Sequence, residues 1–197
     1  MILPSGFSTF DYSITAASKG WSSGWPQCGG MAGNVVQVAG GRSGASIAGG
    51  VHRRIQALAQ TLINQIEKQG YLLVPGWCWG AECRAISGTS TPSNHSWGLA
   101  MDLNAPNNPY TSSGQHDIPD WAYAIFRRFG FGCGADYSGR KDWMHVEFMG
   151  TPGDADIMTQ LAVKEFDGGG GPVGSDDWTD TMNLADWTAV VREASTT

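Results

Sequence analysis

Two short segments of the chain carry residues that could bind a catalytic metal ion. His95 and Asp102, separated by six residues, lie in SNHSWGLAMDLN, whose composition predicts a loop that leads into a strand. His145 follows about forty residues later, in DWMHVEF. Two imidazoles and one carboxylate are typical of catalytic zinc sites, which use three protein ligands and leave the fourth position open for water. Either histidine alone is a weak signal, but the two segments in this order predict a zinc site.

A hydrolytic zinc site also needs a base, and two carboxylates near His145 are candidates. Asp142 precedes His145 by three residues, an offset that would point it to the opposite face of a continuous strand. We therefore expect a turn or bulge at 142–143, with the strand beginning after it. Glu147 would share the face of His145, and it is either the alternative base or a partner that orients a ligand.

Other residues near these segments could contact a substrate. Arg84 lies in a turn-rich segment before the His95 motif, where its charge could stabilise an oxyanion or bind a substrate carboxylate. Trp97 and Trp143 flank the expected ligands and could form the walls of a groove. We interpret the two remaining histidines as structural, with His52 on an exposed helix surface and His116 in a loop that could approach the cleft.

Hydrophobic periodicity predicts the elements that must position these residues. The clearest is a helix over 49–70, which Gly70 would end and in which His52 and Glu67 would lie at or near the exposed face. The other expectations are a strand over 71–74, turns over 76–91, a strand over 99–103 that carries Asp102, a loop over 104–115, a helix over 119–129, a strand over 143–148 and a helix over 155–166.

Length and charge restrict the class of protein. A chain of 197 residues with 41% hydrophobic and 15% charged residues can form one domain with a sizeable core. The net charge of −6 is concentrated in 167–197, which contain six acidic residues and one arginine. There is no basic stripe for nucleic acid, no polybasic patch for an anionic membrane, and no run long enough to span a bilayer.

Composition also suggests how the chain is divided. We expect a catalytic domain over 1–166, of which 1–48 would form an irregular wrap. A Gly-rich linker over 167–175 would lead to 176–197, an acidic tail or the stub of a missing wall-binding module. The start of the chain lacks the features of a signal peptide.

The four cysteines do not form a CxxC pair, so a structural zinc finger is not expected. Cys78 and Cys83 are close enough in sequence to form a disulfide across a turn. The alternative is four reduced and mostly buried thiols, Cys28, Cys78, Cys83 and Cys133.

These motifs resemble those of a known peptidase family. SNHSWGLAMD is similar to the S-x-H-x-x-G-x-A-x-D signature of the VanY-like D-alanyl-D-alanine carboxypeptidases, and DWMHVEF is similar to their second motif. An aspartate at 142 with Met144 before the histidine resembles the phage endolysin branch, which cuts L-alanyl-D-glutamate bonds in peptidoglycan. The segment at 83–88 is similar to the arginine-bearing segment of that branch, and the whole resemblance spans about 51–150.

The resemblance implies both a fold and a set of roles. The fold would be the α+β fold shared with hedgehog-type domains, in which a small antiparallel sheet carries one zinc ion and helices surround it. His95, Asp102 and His145 would bind the zinc ion, and Asp142 would be the general base. Arg84 and Ser93 would contact the substrate or the oxyanion. Carboxypeptidases of this family commonly have Glu in place of Asp142, a difference that favours the endopeptidase branch.

The sequence thus predicts a zinc peptidase that cleaves peptidoglycan stem peptides, most simply an L-alanyl-D-glutamate endopeptidase acting as a phage or prophage endolysin. The alternatives are a D-alanyl-D-alanine carboxypeptidase and, from another class, a non-catalytic wall-binding or structural module. Peptidoglycan is the expected partner, without nucleic acid or membrane insertion, and we expect a monomer. An endolysin without a signal peptide would be made in the host cytoplasm and would act on the cell wall after release.

Overall fold

The computed structural model describes Trp25 and residues 33–166 of the chain. The predicted linker over 167–175, the tail over 176–197 and most of the expected N-terminal wrap lie outside the described residues. The helices and strands follow in the order β1 (Val35–Val36), β2 (Val51–His52), α1 (Arg53–Lys68), β3 (Ala100–Asp102), β4 (Tyr110–Thr111), α2 (Asp120–Arg128), β5 (Phe131–Cys133), β6 (Lys141–Asp142), β7 (His145–Phe148) and α3 (Pro152–Phe166). The predicted α+β class is confirmed.

The first helix packs the hydrophobic stripe that its sequence predicts into the core. The apolar residues that recur at helical spacing are all buried, namely Val51 in β2 and Ile55, Leu58, Leu62, Ile63 and Ile66 in the helix. The helix begins later than expected, because Gly49 and Gly50 have φ of +83° and +68°, which a helix does not allow. Gly70, with φ of +109°, follows the last turn as predicted.

Two polar residues of this region were predicted wrongly as exposed. His52 is 7% exposed, because it lies in β2 rather than in the helix, and its Nδ1 accepts a hydrogen bond from the amide of Arg54. Glu67 is fully buried. Its carboxylate accepts bonds from the Arg42 amide at 2.8 Å and the Leu73 amide at 3.1 Å, so its burial does not leave the charge without partners.

The predicted strand over 71–74 does not form. Its backbone amides bind side-chain oxygens instead of a neighbouring strand. The Leu73 amide donates to Glu67, and the Val74 amide donates to Asn104 Oδ1 at 2.8 Å. The turn-rich character of 76–91 is confirmed, and the predicted loop over 104–115 contains only the short strand β4. No helix among the described residues is long and apolar enough to cross a membrane.

The second and third helices are confirmed with small changes in their limits. Pro119 caps α2 rather than opening its first turn, and Ile125, Phe126 and Phe129 fill the core while Trp121 is partly buried against it. Helix α3 begins at Pro152 and packs along α1. Helices α1 and α3 therefore cover one side of the core together.

The central sheet is antiparallel and has the strand order β3-β7-β5. Strand β7 lies in the middle, where Val146 and Phe148 are wholly buried. Trp79 pairs with Asp102 on the outer edge of β3 through two backbone hydrogen bonds of 2.7 and 3.0 Å. The strand that carries Asp102 is therefore held from both sides.

Neither expectation for the cysteines is correct. Cys83 is disulfide-bonded, whereas Cys78 and Cys133 are buried free thiols. A disulfide between Cys78 and Cys83 is therefore excluded, and so is a fully reduced set. Burial raises the pKa of both free thiols, which makes them poor nucleophiles.

Candidate metal centre and active site

Strand pairing brings two of the expected ligands together. Asp102 lies directly opposite His145 in the ladder between β3 and β7, and paired residues project to the same face of a sheet. His145 Nδ1 lies 3.0 Å from Asp102 Oδ1. His95 comes from the short 3-10 helix Asn94–Trp97, and its Nε2 lies 3.4 Å from the same oxygen. One potential ligand atom from each residue falls within 4.8 Å of the others, so the three could hold a metal ion.

The imidazole of His95 is oriented by a backbone carbonyl. Its Nδ1 donates a hydrogen bond to the oxygen of Gly80 at 2.6 Å, and the amide of Gly80 is in turn bound to the carbonyl of Ala48 at 2.7 Å. This contact fixes the tautomer, so that Nε2 of the neutral ring carries a lone pair. That nitrogen is buried and has no hydrogen-bond partner. A buried ring nitrogen with a free lone pair is suited to binding a metal ion.

Glu147 orients the second histidine in a comparable way. His145 Nε2 lies 3.1 Å from Glu147 Oε2, and the same oxygen accepts a hydrogen bond from the side-chain amide of Asn94. With Nε2 donating to the carboxylate, the lone pair of a neutral His145 is on Nδ1, which faces Asp102. Glu147 is only 4% exposed and lies on the side of the ring away from Asp102. Glu147 was considered as an alternative base or as a partner that orients a ligand, and this position favours the orienting role.

The charges of the site favour a cation at its centre. Burial alone would lower the pKa of His145, but the neighbouring Tyr137, Asp102 and Glu147 raise it well above its ordinary value. Burial likewise opposes ionisation of Asp102, yet the neighbouring imidazoles of His145 and His95 hold its pKa below the usual range. Both shifts stabilise a positive charge between the carboxylates, and a divalent cation would supply it.

Asp142 lies in the same cavity but has a different environment. It ends β6, and the chain turns at 143–144 before β7 begins, which is close to the turn expected at 142–143. Its Oδ1 is buried without a hydrogen-bond partner, and burial raises its pKa. A side chain at Gly134 would collide with the backbone oxygen of Asp142 and with its Cβ. The carboxylate is therefore held in place by close packing and is left without a hydrogen-bond partner.

These groups line a cavity of about 390 Å³. Arg84 lines it as well, with its Nε donating to Glu82 at 2.8 Å, and its side chain is 41% exposed, which places it towards the solvent. Ser93, buried at the start of the 3-10 helix, also lines the cavity. The structure thus brings together the expected ligands, Asp142, Arg84, Ser93 and Glu147.

The two tryptophans expected to form groove walls lie elsewhere. Trp97 is 1% exposed and belongs to the hydrophobic core, because its side chain points away from the cavity that His95 faces. Trp143 is half-buried and stacks on His116 with ring centroids 4.0 Å apart, while its indole donates to the carbonyl of Ser113. Neither indole lines the cavity. The groove-wall prediction is wrong for Trp97, and Trp143 supports the neighbouring loop.

The cavity contains residues that sequence reasoning missed. Two tyrosines line it, Tyr110 from β4 and Tyr137 from the turn that follows the 3-10 helix Gly134–Asp136. Tyr110 pairs with Asp142 in the ladder between β4 and β6. Asn94 could have been suspected because it adjoins His95. No local pattern points to Tyr137, whose position depends on the packing of β6 and the second 3-10 helix.

The residues present fit a zinc ion by their chemistry. Two imidazole nitrogens and a carboxylate oxygen are common zinc ligands, and both rings are fixed in tautomers that direct a lone pair to the shared centre. Three protein ligands leave room for the open position of a catalytic site.

Comparison with known families agrees with this geometry. Residues 87–148 match a family model described as D-alanyl-D-alanine carboxypeptidase, and the match covers less than half of the chain. The matched segment contains all three potential ligands together with Asp142 and Glu147. The match supports a metallopeptidase site in this segment. Searches of curated proteins and of solved structures gave no significant match.

Proposed function

We propose that the protein is a zinc-dependent peptidase that hydrolyses the stem peptides of peptidoglycan. The proposal rests on one observation: a potential metal site and a carboxylate without a hydrogen-bond partner lie in the same cavity. His95, Asp102 and His145 offer converging ligand atoms, and the partnerless carboxylate of Asp142 lies beside them. A purely structural metal site would need a closed set of ligands and would gain nothing from an unpaired buried carboxylate.

His95, Asp102 and His145 would hold the zinc ion. When bound, zinc would supply Lewis-acid polarisation of a carbonyl and would lower the pKa of a coordinated water to about 7. Asp142 accepts the proton of the attacking water and returns it to the leaving amine. Burial raises its pKa, and a base with a raised pKa is better suited to accept a proton at neutral pH than an ordinary aspartate.

Arg84 contacts the substrate at the outer part of the cavity, and Ser93 contacts it further in. Stem peptides carry free carboxylates, and the guanidinium of Arg84 is half-exposed where such a group could reach it. Its present partner Glu82 is an exposed surface carboxylate that a substrate could displace. The Ser93 hydroxyl lies deeper and can donate to a peptide carbonyl.

The bond that we propose is L-alanyl-D-glutamate, cleaved by an endolysin of phage or prophage origin. The aspartate at 142 and the methionine before His145 support this choice. Such an enzyme would reach the wall from the host cytoplasm. The matching family description favours a second candidate, D-alanyl-D-alanine carboxypeptidase activity. The two differ in whether the cavity accepts a peptide that continues beyond the cleaved bond.

Mass spectrometry of digested peptidoglycan tests the function. Purified protein with one equivalent of zinc should release fragments with new L-alanine carboxyl ends and D-glutamate amino ends. Free D-alanine would instead identify a carboxypeptidase. Asp142→Ala should retain zinc and lose the products, whereas Asp156→Asn, which alters a surface ion pair with Arg54, should behave as wild type. Zinc loading without cleavage of any stem peptide would contradict the proposal.

A further inference from the structure

Tyr137 is held rigidly at the wall of the cavity. Its amide donates to the carbonyl of Gly134 at 3.3 Å, and its own carbonyl accepts a bond from the ammonium of Lys141. The backbone is thus fixed on both sides of the side chain. The phenol ring lines the same cavity as Asp142 and His145 and interacts electrostatically with both.

The hydroxyl group of the partly buried Tyr137 differs from those of the buried tyrosines Tyr71 and Tyr123. Tyr71 makes three hydrogen bonds through its hydroxyl, and Tyr123 donates to the carbonyl of Trp143 at 2.5 Å. Within residues 33–166, the Tyr137 hydroxyl makes no hydrogen bond, although it is not among the polar atoms shut off from solvent. A donor without a partner that faces a cavity is available to whatever enters it.

Apart from hydroxyl groups, of which Ser93 is assigned to the substrate above, few side-chain donors of the cavity are free to bind a developing negative charge. The side-chain amide of Asn94 is committed to Glu147, and the charge of Arg84 lies near the solvent beside Glu82. Asp102 and Glu147 only accept hydrogen bonds when ionised. Hydrolysis of a peptide needs a donor placed where the carbonyl oxygen gains charge.

We propose that the Tyr137 hydroxyl donates a hydrogen bond to the carbonyl oxygen of the scissile peptide bond. This hydrogen bond becomes stronger as the oxygen gains negative charge. Tyr137 is then a further catalytic residue, and the inference rests on the peptidase function proposed above. The role is hydrogen bonding and not proton transfer: no covalent bond to Tyr137 forms or breaks. Burial raises the pKa of the phenol, which keeps the proton on the oxygen throughout the reaction.

The variant Tyr137→Phe removes one oxygen atom that has no partner among the described residues, so the fold should persist. We expect kcat on a synthetic stem peptide to fall about 100-fold. KM, zinc stoichiometry and Tm should stay close to wild type. The matched control is Tyr71→Phe, which removes a tyrosine hydroxyl outside the cavity and should leave kcat per folded molecule within twofold.

A binding measurement separates hydrogen bonding from a structural effect. A phosphinate analogue of the stem peptide presents a charged oxygen where the substrate carbonyl would be. By calorimetry, Tyr137→Phe should weaken binding of the phosphinate by about the same factor as kcat/KM and leave binding of the uncleaved stem peptide unchanged. This comparison remains informative if the variant is less stable, because only molecules that bind are counted.

Each outcome decides one of the two proposals. A wild-type kcat for Tyr137→Phe, in a protein whose wild-type form cleaves the peptide, overturns the role of Tyr137 alone. Loss of activity that zinc loading explains in full also overturns it, because Tyr137 would then only position His145. A wild-type protein that binds zinc but cleaves no stem peptide contradicts the peptidase proposal and, with it, the catalytic role of Tyr137.

Discussion

Two polar clusters meet near the end of β3, where Asp102 belongs to one and Asn104 belongs to the other, and their hydrogen bonding differs sharply. The ligand cluster consists of His95, Asp102 and His145. The second cluster, here called the asparagine network, consists of Tyr71, Asn104, Asn108 and Asp117.

The asparagine network is saturated with hydrogen bonds. Asn108 accepts from the amides of Asp117 and Ile118 at 2.9 and 3.1 Å, and its amide group donates to Asp117 Oδ1 at 2.8 Å. Tyr71 donates to the same carboxylate at 2.7 Å and accepts from Asn104. Asn104 sustains an unusual φ of +46° because its side chain ties the loop to Val74. Every polar group has a partner, as a structural network requires.

The ligand cluster and its surroundings retain unmet groups instead. His95 Nε2 and Asp142 Oδ1 are buried without partners, and both face one cavity. Leaving such groups unmet costs stability, so two of them facing one cavity indicate a site that awaits a ligand. Saturation of hydrogen bonds, more than burial or polarity, separates the two clusters. Removing single groups from each cluster tests this difference.

The largest effect should follow His95→Ala. Loss of one of three ligands should abolish stable zinc binding and reduce peptidase activity about 1,000-fold or more. Metal analysis after dialysis, together with a turnover assay, measures both. The control is His116→Ala, which removes the imidazole stacked on Trp143 and should retain the metal. Full zinc loading in His95→Ala would exclude His95 as a ligand.

Much of the ligand cluster could be predicted because its geometry is local or follows from strand pairing. His95 and Asp102 are close in sequence, and alternation along β7 correctly directs His145 and Glu147 to one face. Helical periodicity located α1, α2 and α3 for a similar reason. A hydrophobic pattern of period 3.6 can be recognised in a short stretch of sequence, so it predicts a helix without knowledge of the rest of the fold.

The failures concern properties that depend on distant contacts. Trp97 lies two residues after His95 in sequence, yet a 3-10 helix directs its side chain into the core while His95 faces the cavity. A glutamate near the end of a helix is expected at the surface, but the loop at 42–43 covers Glu67 and its backbone amides donate hydrogen bonds to the carboxylate. Tyr137 was missed because its position beside Asp142 arises from tertiary packing.

The second-largest effect should follow Asp142→Asn. Removing a general base should lower kcat about 10²- to 10⁴-fold, and zinc content should stay at one equivalent. The matched control is Asp136→Asn, because Asp136 is a nearby carboxylate whose role is an ion pair with Arg127 at 2.7 Å. If Asp142→Asn turns over at the wild-type rate, Glu147 becomes the candidate base.

The same variant should change stability in the opposite direction. In the metal-free protein, burial raises the pKa of Asp142 above its ordinary value of 3.8. The native state therefore holds a proton that the unfolded chain has lost, so wild-type stability falls as pH rises from 3.8 through the raised pKa. Asp142→Asn lacks this loss and should be more stable by about 0.5–2 kcal/mol at pH 7, with the difference vanishing below pH 3.8. Denaturant unfolding of both proteins across this range measures it, and equal stability at pH 7 would contradict it.

A smaller effect is expected for Glu147→Gln. The carboxylate orients His145 through its Nε2, so the variant should weaken zinc binding about 10- to 100-fold. Activity should return towards wild type when zinc is added in excess, a recovery that Asp142→Asn should not show. Competition with a chelator measures the affinity. A loss of kcat that persists at saturating zinc would assign a direct chemical role to Glu147.

The smallest effect on activity should follow Tyr71→Phe, which makes the same chemical change as Tyr137→Phe in the other cluster. The Tyr71 hydroxyl has three partners, so its removal leaves Asn104, Asn108 and Asp117 with unmet groups and should cost about 1–3 kcal/mol of stability. Zinc affinity and kcat per folded molecule should not change, because no polar group of the cavity is touched. Tyr137→Phe should do the reverse, lowering kcat without lowering Tm. If both variants lost stability and neither lost kcat, hydrogen-bond saturation would not distinguish a structural cluster from a functional one in this fold.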